Sequence, residues 1–196
     1  MRWGLIPYFA DGRPPKYSTI NAAIEKLETV ATWRRPWNRG QRCILPAIGF
    51  YEWHVLPGGT KCPYYIACAD QPLFAFAGLW DRSRADDGTE TLSCAVVTLA
   101  ANERMRQIHN GGANPYRMPA ILALADVEAW LSGPPKHAKA ALKPYPSIAL
   151  VAHPVSPRVN SPENNDADLL SPSGDFLPTI GEPTARQQDN GGDGQR

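Results

Sequence analysis

The feature that most restricts the fold is a series of short apolar runs, rich in aromatic and β-branched residues, that begins at Cys43. Segments rich in proline, glycine and aspartate separate the four runs, which read CILPAIGFYEWHV, PYYIACA, LFAFAGLW and SCAVVT. Such runs between turn-forming residues are typical of β-strands, and the short or polar links at 57–62 and 81–91 favour antiparallel pairing. The 20 prolines and 16 glycines among 196 residues also favour short strands over a helical bundle.

Helical patterns occur only in shorter segments around these runs. The segment AAIEKLETVATW predicts a short helix that ends before Pro36. Leu99–Ile108 predicts a helix with Thr98 as its N-cap, and LADVEAWLSG predicts another that stops at Gly133. A third helix is predicted for PPKHAKAAL, and strand character returns at Ser147–Ser156.

The length and charge of the chain restrict its class. We predict one domain over residues 1–171 and a disordered tail over 172–196, where periodicity is lost. A net charge of +1 produces no global field that would attract nucleic acid, although a local basic groove is compatible with it. There is neither an apolar stretch long enough for a transmembrane helix nor an N-terminal apolar core long enough for a signal peptide. We therefore expect a cytoplasmic protein without a membrane partner.

The cysteine pattern indicates neither a metal site nor a disulfide framework. The chain has four cysteines, and no two of them form a CxxC pair or a Cys/His ladder. We therefore expect no metal and a reducing environment.

Glu52, in the stretch GFYEWH, is the first candidate for chemistry. On a strand it shares one face with Phe50 and His54, while Tyr51 and Trp53 point to the other. Apolar surroundings would desolvate the carboxylate and raise its pKa, which suits general acid–base catalysis. An edge strand with Glu52 in water is an equally good interpretation on sequence alone.

Three further polar residues have both a functional and a structural interpretation. His109 follows a predicted helix, where it could transfer protons or simply stabilise the helix C-terminus. Arg117 could bind a phosphate or carboxylate bidentately, or lie on the surface. Asn21 could orient a substrate or close a turn.

The segment WRRPW, Trp33–Trp37, alternates cations with aromatic rings. Grooves for single-stranded nucleic acid have this composition, because bases stack on the rings and phosphates bind the cations. A core aromatic beside two solvated arginines explains the segment equally well.

The order of several motifs along the chain resembles the SOS response-associated peptidase (SRAP) family of abasic-site processing proteins. The motifs, over about residues 2–171, are RWGLIP, INAA.E, RCILPAIGFYEW, PYYI, FAGLWD, VVTLAAN, IHN with RMPAIL, and VSPRVN. The resemblance implies an α+β fold in which a curled, barrel-like, mainly antiparallel sheet with a few peripheral helices carries a positive cleft for single-stranded DNA.

The resemblance also implies a covalent chemistry that needs no cofactor. In the family, an N-terminal cysteine attacks the ring-opened aldehyde of an abasic site. Its amine condenses with the aldehyde and releases water, and its thiol then adds to the imine to close a thiazolidine. The resulting DNA–protein crosslink belongs to the DNA damage (SOS) response, and autopeptidase activity accompanies it. An enzyme of peptidase (hydrolase) type with lyase-like crosslinking, acting as a monomer and bound to nucleoid DNA, is therefore implied.

The family roles transfer to individual positions of this chain. Glu52 and His109 match the proton-transferring glutamate and histidine, and Asn21 matches the asparagine that orients the reacting end. The positions that match DNA contacts are Trp3, Arg34 or Arg35, Trp53, Thr98 and Arg117.

The sequence departs from the family pattern at the nucleophile. Residue 2 is Arg2, and the Cys-Gly-Arg strand of the family has no counterpart, so we expect a truncated or misassigned start. As written, the chain is expected to form no crosslink, which leaves a non-catalytic single-stranded DNA-binding remnant as the alternative. Ala23 replaces an arginine of the family motif, and the insertion 111–116 lengthens the link between His109 and Arg117.

Overall fold

A computed structural model describes residues 1–173, and the predicted tail over 172–196 lies outside them except for its first two residues. Those two residues are bonded to the domain, since Pro172 bridges to Val155 and the Ser173 amide donates to the Pro154 carbonyl. The ten strands are β1 (Arg2–Trp3), β2 (Asn21–Ala23), β3 (Arg42–Ala47), β4 (Phe50–Val55), β5 (Lys61–Cys68), β6 (Phe74–Arg84), β7 (Glu90–Ala100), β8 (Arg117–Pro119), β9 (Ile121–Leu122) and β10 (Leu150–Pro154). The α-helices of these 173 described residues are α1 (Ala31–Asn38), α2 (Glu103–Ile108), α3 (Val127–Ser132) and α4 (Pro135–Ala140).

The strands divide between two sheets rather than forming one. The larger sheet has seven strands, and the smaller has three in the order β10-β5-β4. Pairing is antiparallel except where β1 and β2 run parallel to β7. The predicted α+β class with mainly antiparallel strands and few helices is therefore confirmed.

The break between the sheets falls at a glycine. The run predicted from Cys43 onward forms β3 in the large sheet and β4 in the small one, separated by Ile48 and Gly49. A Cβ atom at Gly49 would lie 2.2 Å from the ring of Tyr65, whose hydroxyl donates to the Ile48 carbonyl. A larger residue at position 49 would therefore require the Tyr65 ring to move from its place beside the start of β4.

The large sheet forks between its two longest strands. β6 and β7 pair from Arg84–Glu90 up to Gly78–Val96, and beyond that point they separate. The segment 117–122 fills the gap, with β8 paired to β7 and β9 paired to β6. The fork thus places Arg117, at the start of β8, beside the end of β7.

Two helix predictions were wrong in their bounds. Thr98 and Leu99 belong to β7, where they pair with β8, and α2 begins after Asn102, whose side chain accepts from the Met105 amide. α1 contains Pro36 instead of ending before it, because the buried rings of Trp33 and Trp37 hold that helix against the core. The helices predicted around 124–133 and 135–143 are present as α3 and α4.

A buried polar cluster fastens the N-terminal segment to the large sheet. Asp81 on β6 is completely buried and accepts from the backbone amides of Tyr8 and Arg82 and from the side chains of Arg35 and Gln41. Its charge is compensated by the Arg35 guanidinium at 2.9 Å. This carboxylate is thus fully bonded and structural.

Within residues 1–173, no helix has the length and apolar character needed to cross a bilayer. The same residues contain no group of three histidine, cysteine or acidic side chains arranged to hold a metal ion.

Candidate functional site

Glu52 and His109 meet in a cleft although 57 positions separate them in sequence. Glu52 lies on β4 of the small sheet, and His109 follows α2, whose Gln107 carbonyl accepts a hydrogen bond from His54 Nδ1 of β4 at 2.8 Å. The His109 Nδ1 atom lies 3.6 Å from Glu52 Oε2, and both side chains are 20% exposed. The predicted carboxyl–imidazole pair is therefore formed.

Burial changes the acidity of Glu52. Loss of water around the carboxyl raises its pKa above the ordinary 4.5, while the Trp53 amide and His109 lower it by smaller amounts. The Trp53 amide is the hydrogen-bond donor to Glu52 Oε1, at 2.9 Å. Glu52 thus retains a proton at higher pH than a glutamate in water, as a general acid requires.

The His109 ring has a hydrogen-bond partner in either protonation state. Its Nδ1 lies 2.9 Å from the Arg117 carbonyl and 3.3 Å from the Arg117 amide nitrogen. A protonated Nδ1 can donate to that carbonyl, and an unprotonated Nδ1 can accept from the Arg117 amide. The Arg117 backbone therefore holds the His109 ring beside Glu52.

His109 lines two cavities. The larger, of about 510 Å³, is also lined by Asn21, Thr98 and Arg117, all predicted from the sequence. The smaller, of about 250 Å³, is lined by Glu52 and Trp53 together with His109. Six of the predicted residues thus surround two adjacent concavities that share one imidazole.

Arg117 is held at the wall of the larger cavity. Its two terminal nitrogens donate to the two carboxylate oxygens of Glu25, at 2.8 and 2.9 Å. The second nitrogen also donates to the Thr98 carbonyl at 2.8 Å. Arg117 holds the pKa of Glu25 below its usual range, chiefly through this hydrogen bonding.

Trp53 and Trp3, both predicted to contact DNA, differ in their position relative to the two cavities. The Trp53 indole donates to the Asn160 side chain at 2.9 Å and lines the smaller cavity with it. Trp3 is 59% exposed and donates to the carbonyl of Ile20, the residue before Asn21. Trp3 thus lies beside the start of β2 but is not among the residues that line either cavity.

The structure places Arg34 and Arg35 away from His109. Both line a separate concavity of about 290 Å³ with Tyr8 and Phe9. Arg35 is paired with Asp81 and lies over the Tyr8 ring at 3.9 Å. Of the two arginines, Arg34 is therefore the one whose charge is not committed to Asp81.

The four cysteines lie away from both cavities. Burial raises the pKa of Cys43 to about 12 and of Cys68 to about 11, and it also raises the pKa of Cys62 and Cys94. A thiolate nucleophile is disfavoured at all four positions.

Sequence reasoning missed several residues that line the cavities. Glu25, Lys26 and Tyr17 line the larger cavity, and Lys61 and Asn160 line the smaller. Trp33, from the WRRPW segment singled out in the sequence, also lines the larger cavity. The glutamate of the INAA.E motif and the asparagine of VSPRVN stood in quoted motifs, so their position in those motifs was the available signal.

The fold and site together define a class: a mixed α+β protein whose cleft holds a half-buried carboxyl–imidazole pair and a fixed arginine. Comparison with known proteins agrees with that class. Residues 1–162 match the family described as SOS response associated peptidase (SRAP). The chain belongs to this family, as its motifs predicted.

Its relatives include bacterial and vertebrate proteins. The chain is 39% identical over 173 residues to abasic site processing protein YoaM of Bacillus subtilis. The matched region covers 87% of this chain and 73% of YoaM. It is 32% identical over 198 residues to abasic site processing protein HMCES of Gallus gallus, covering 88% of this chain and 56% of HMCES.

Solved structures share the fold. A crystal structure of a protein from Bacteroides thetaiotaomicron superposes with a TM-score of 0.78 at 29% identity and covers 87% of this chain and 75% of that one. A second, from Bordetella bronchiseptica, gives a TM-score of 0.70 at 33% identity, covering 79% of this chain and 75% of that one.

Proposed function

We propose that this chain binds single-stranded DNA at abasic sites, and that Glu52 and His109 transfer protons at the opened sugar. The observation that supports this most directly is the 3.6 Å approach of the two side chains, with His109 lining both cavities. A sugar aldehyde beside His109 would be within reach of groups on both sides of the imidazole. The proposal places the protein in the cytoplasm, as a monomer on nucleoid DNA.

The DNA strand is proposed to follow the two cavities. Arg117 and Asn21 would contact the phosphate and sugar in the larger cavity, beside the Thr98 backbone. Trp53 in the smaller cavity and Trp3 at its exposed position would stack on flanking bases. Arg34 would contact a more distant phosphate.

The proton steps follow from the acidity of the pair. Where the amine of an N-terminal cysteine condenses with the aldehyde, the carbinolamine oxygen leaves as water, and a protonated Glu52 is suited to supply the proton. His109, bonded through Nδ1 to the Arg117 backbone, can take a proton from the attacking amine. General acid–base assistance of this kind accelerates a reaction by about 10²–10⁴-fold.

The cysteines of this chain support a narrower alternative, namely DNA binding without a covalent bond. All four are at least partly buried and line neither cavity, so none of them can supply the sulfur that closes a thiazolidine at His109. In this alternative the chain recognises the abasic site without a covalent bond, and Glu52 and His109 contact the opened sugar without an attacking amine. Crosslinking requires a cysteine whose amine and thiol are both free, which none of these four positions supplies.

An abasic single-stranded oligonucleotide tests the proposal. The chain should bind it with an affinity that falls as salt rises, and should bind more tightly than to the same oligonucleotide with every base intact. Denaturing electrophoresis of the mixture should show no adduct. Equal affinity for the abasic and intact strands would show that the chain does not recognise the abasic sugar. An adduct that survives denaturation would contradict the conclusion that none of the four cysteines forms a covalent bond there.

A matched pair of variants locates the binding site. Asn21→Ala alters the lining of the larger cavity, whereas Asn38→Ala alters the separate concavity on α1. We expect Asn21→Ala to reduce the preference for the abasic strand and Asn38→Ala to preserve it. The reverse result would move the sugar site to α1.

A further inference from the structure

The Glu25–Arg117 pair lies in the larger cavity, in the place where the proposed function puts a phosphate. Glu25 and Arg117 face each other with two parallel hydrogen bonds, both at the wall of that cavity. A phosphate presents two oxygens to a guanidinium in the same bidentate geometry as a carboxylate. Glu25 therefore occupies the two nitrogens that a phosphate would need.

The two partners differ in how firmly they are fixed. The Arg117 side chain is 22% exposed, and a third hydrogen bond ties it to the Thr98 carbonyl on β7. The Glu25 side chain is 58% exposed and extends from the short 3₁₀ turn Ile24–Lys26. Because the carboxylate is more than half exposed to water, it can leave while the guanidinium stays bonded to the Thr98 carbonyl.

The composition of the cavity wall increases the importance of this pair. Arg117 is the one arginine among the described lining residues of this cavity. Lys26 supplies the other full positive charge there. While Glu25 is paired with Arg117, the cavity thus has little net attraction for a phosphate.

We propose that Glu25 is a specificity-determining residue that occupies the phosphate subsite of Arg117 in the free protein and is displaced when DNA binds. This inference rests on the proposed function, because it assigns the displacing group as a phosphate of the bound strand. Since the Arg117 backbone also contacts His109 Nδ1, the phosphate that replaces Glu25 lies next to the residue proposed to act on the sugar.

A charge-matched pair of variants tests the exchange. Glu25→Gln removes the competing charge, and Glu28→Gln removes the same charge three residues later, from a carboxylate that pairs with Lys139 and does not line the cavity. The oligonucleotide carries a tetrahydrofuran abasic analogue, and its Kd is measured at several salt concentrations. Glu25→Gln should bind about three- to fivefold more tightly than Glu28→Gln, as expected when an exposed ion pair no longer competes.

A role for Glu25 in positioning Arg117 predicts the opposite sign. In that case Glu25→Gln would bind more weakly than Glu28→Gln. Where the wild type binds the oligonucleotide, this result or equal phosphate and DNA binding by the two variants would overturn the proposal and leave the proposed function intact. Thermal melts of both variants should match the wild type, because each glutamate is more than half exposed.

Inorganic phosphate separates failure of the inference from failure of the proposed function. Phosphate is titrated into all three proteins while the NMR signal of the Arg117 side-chain N–H is followed. Tighter phosphate binding by Glu25→Gln than by Glu28→Gln supports the exchange even if the wild type binds no DNA, in which case the proposed function alone fails. If neither probe distinguishes the two variants, the exchange is wrong.

Discussion

Two carboxylates on strands of this protein, Asp81 and Glu52, have opposite surroundings. Asp81 is completely buried and receives four hydrogen bonds, including one from Arg35 at 2.9 Å. Glu52 is 20% exposed, accepts from the Trp53 amide, and has an imidazole at 3.6 Å. Only Glu52 lines a cavity among those described here.

The difference shows why burial alone does not identify a functional acid. A carboxylate whose oxygens are all bonded is stabilised in its charged form, and its contribution is to the fold. A carboxylate that is desolvated but incompletely bonded keeps its proton longer and can exchange it with a neighbour. Asp81 fastens the N-terminal segment, whereas Glu52 has a raised pKa beside an imidazole, which is the basis of its proposed role in proton transfer.

The largest effect is expected at Asp81. Asp81→Asn places an amide where backbone N–H groups donate and leaves Arg35 without its partner, so we expect the free energy of unfolding to fall by about 3 kcal/mol. Urea denaturation measures it. Asp86→Asn, at an 89% exposed side chain, is the control and should change stability little. If the two variants have the same free energy of unfolding, Asp81 does not stabilise the fold more than an exposed aspartate does.

The two arginines provide the next test. Arg117→Gln should weaken binding of single-stranded DNA about five- to tenfold and reduce the salt slope by about one, because a phosphate contact is lost. Arg35→Gln should instead lower stability, since Asp81 loses its compensating charge. Fluorescence anisotropy at several salt concentrations and urea denaturation separate the two effects. A loss of DNA affinity confined to Arg35→Gln would reverse the assignment.

Glu52→Gln should have a smaller effect on stability, with a characteristic pH dependence. Because burial raises the folded-state pKa of Glu52, the folded protein binds a proton more tightly than the unfolded chain. Wild-type stability should therefore decrease as pH rises from 4.5 through the raised pKa. Glu52→Gln lacks this decrease, so at pH 7 it should be as stable as the wild type or more stable by about 1 kcal/mol. Melts across pH, with Glu28→Gln as control, measure it.

The smallest effect concerns the pair itself. His109 lowers the pKa of Glu52, so His109→Gln should move that pKa further upward. Carbon-13 NMR of the Glu52 carboxyl follows the titration directly. His54→Gln, two residues along the same strand, should leave it unchanged, and an identical shift in both variants would mean that proximity to His109 is not the cause.

Local patterns predicted the strands but not how they divide. The apolar run from Cys43 indicated β-structure, yet the break at Gly49 depends on the approach of Tyr65 from another strand. Local periodicity placed Thr98 and Leu99 at the start of a helix. Their strand partners lie at 118–119, beyond a loop, where a local pattern gives no sign of them. Asn102 carried a local signal, since asparagine is a favoured N-cap. Long-range pairing therefore overrode local periodicity.

The candidate site was predicted as a set of residues, without its internal bonds. Motif order identified Glu52, His109 and Arg117, and the structure brings them together. The Glu25–Arg117 pair joins positions 92 apart, a separation over which spacing carries no information. The partner of Arg35 could not be predicted for the same reason, because Asp81 lies 46 positions away.

Because the strands divide into two sheets at Gly49, the distance between Glu52 and His109 depends on how those sheets pack. Glu52 moves with the small sheet, whereas His109 is bonded to Arg117 in the large one. The 3.6 Å between His109 Nδ1 and Glu52 Oε2 is therefore set by contacts between the two sheets. A substitution that alters the packing between the two sheets, even one far from the cleft, would therefore change the distance between the two side chains.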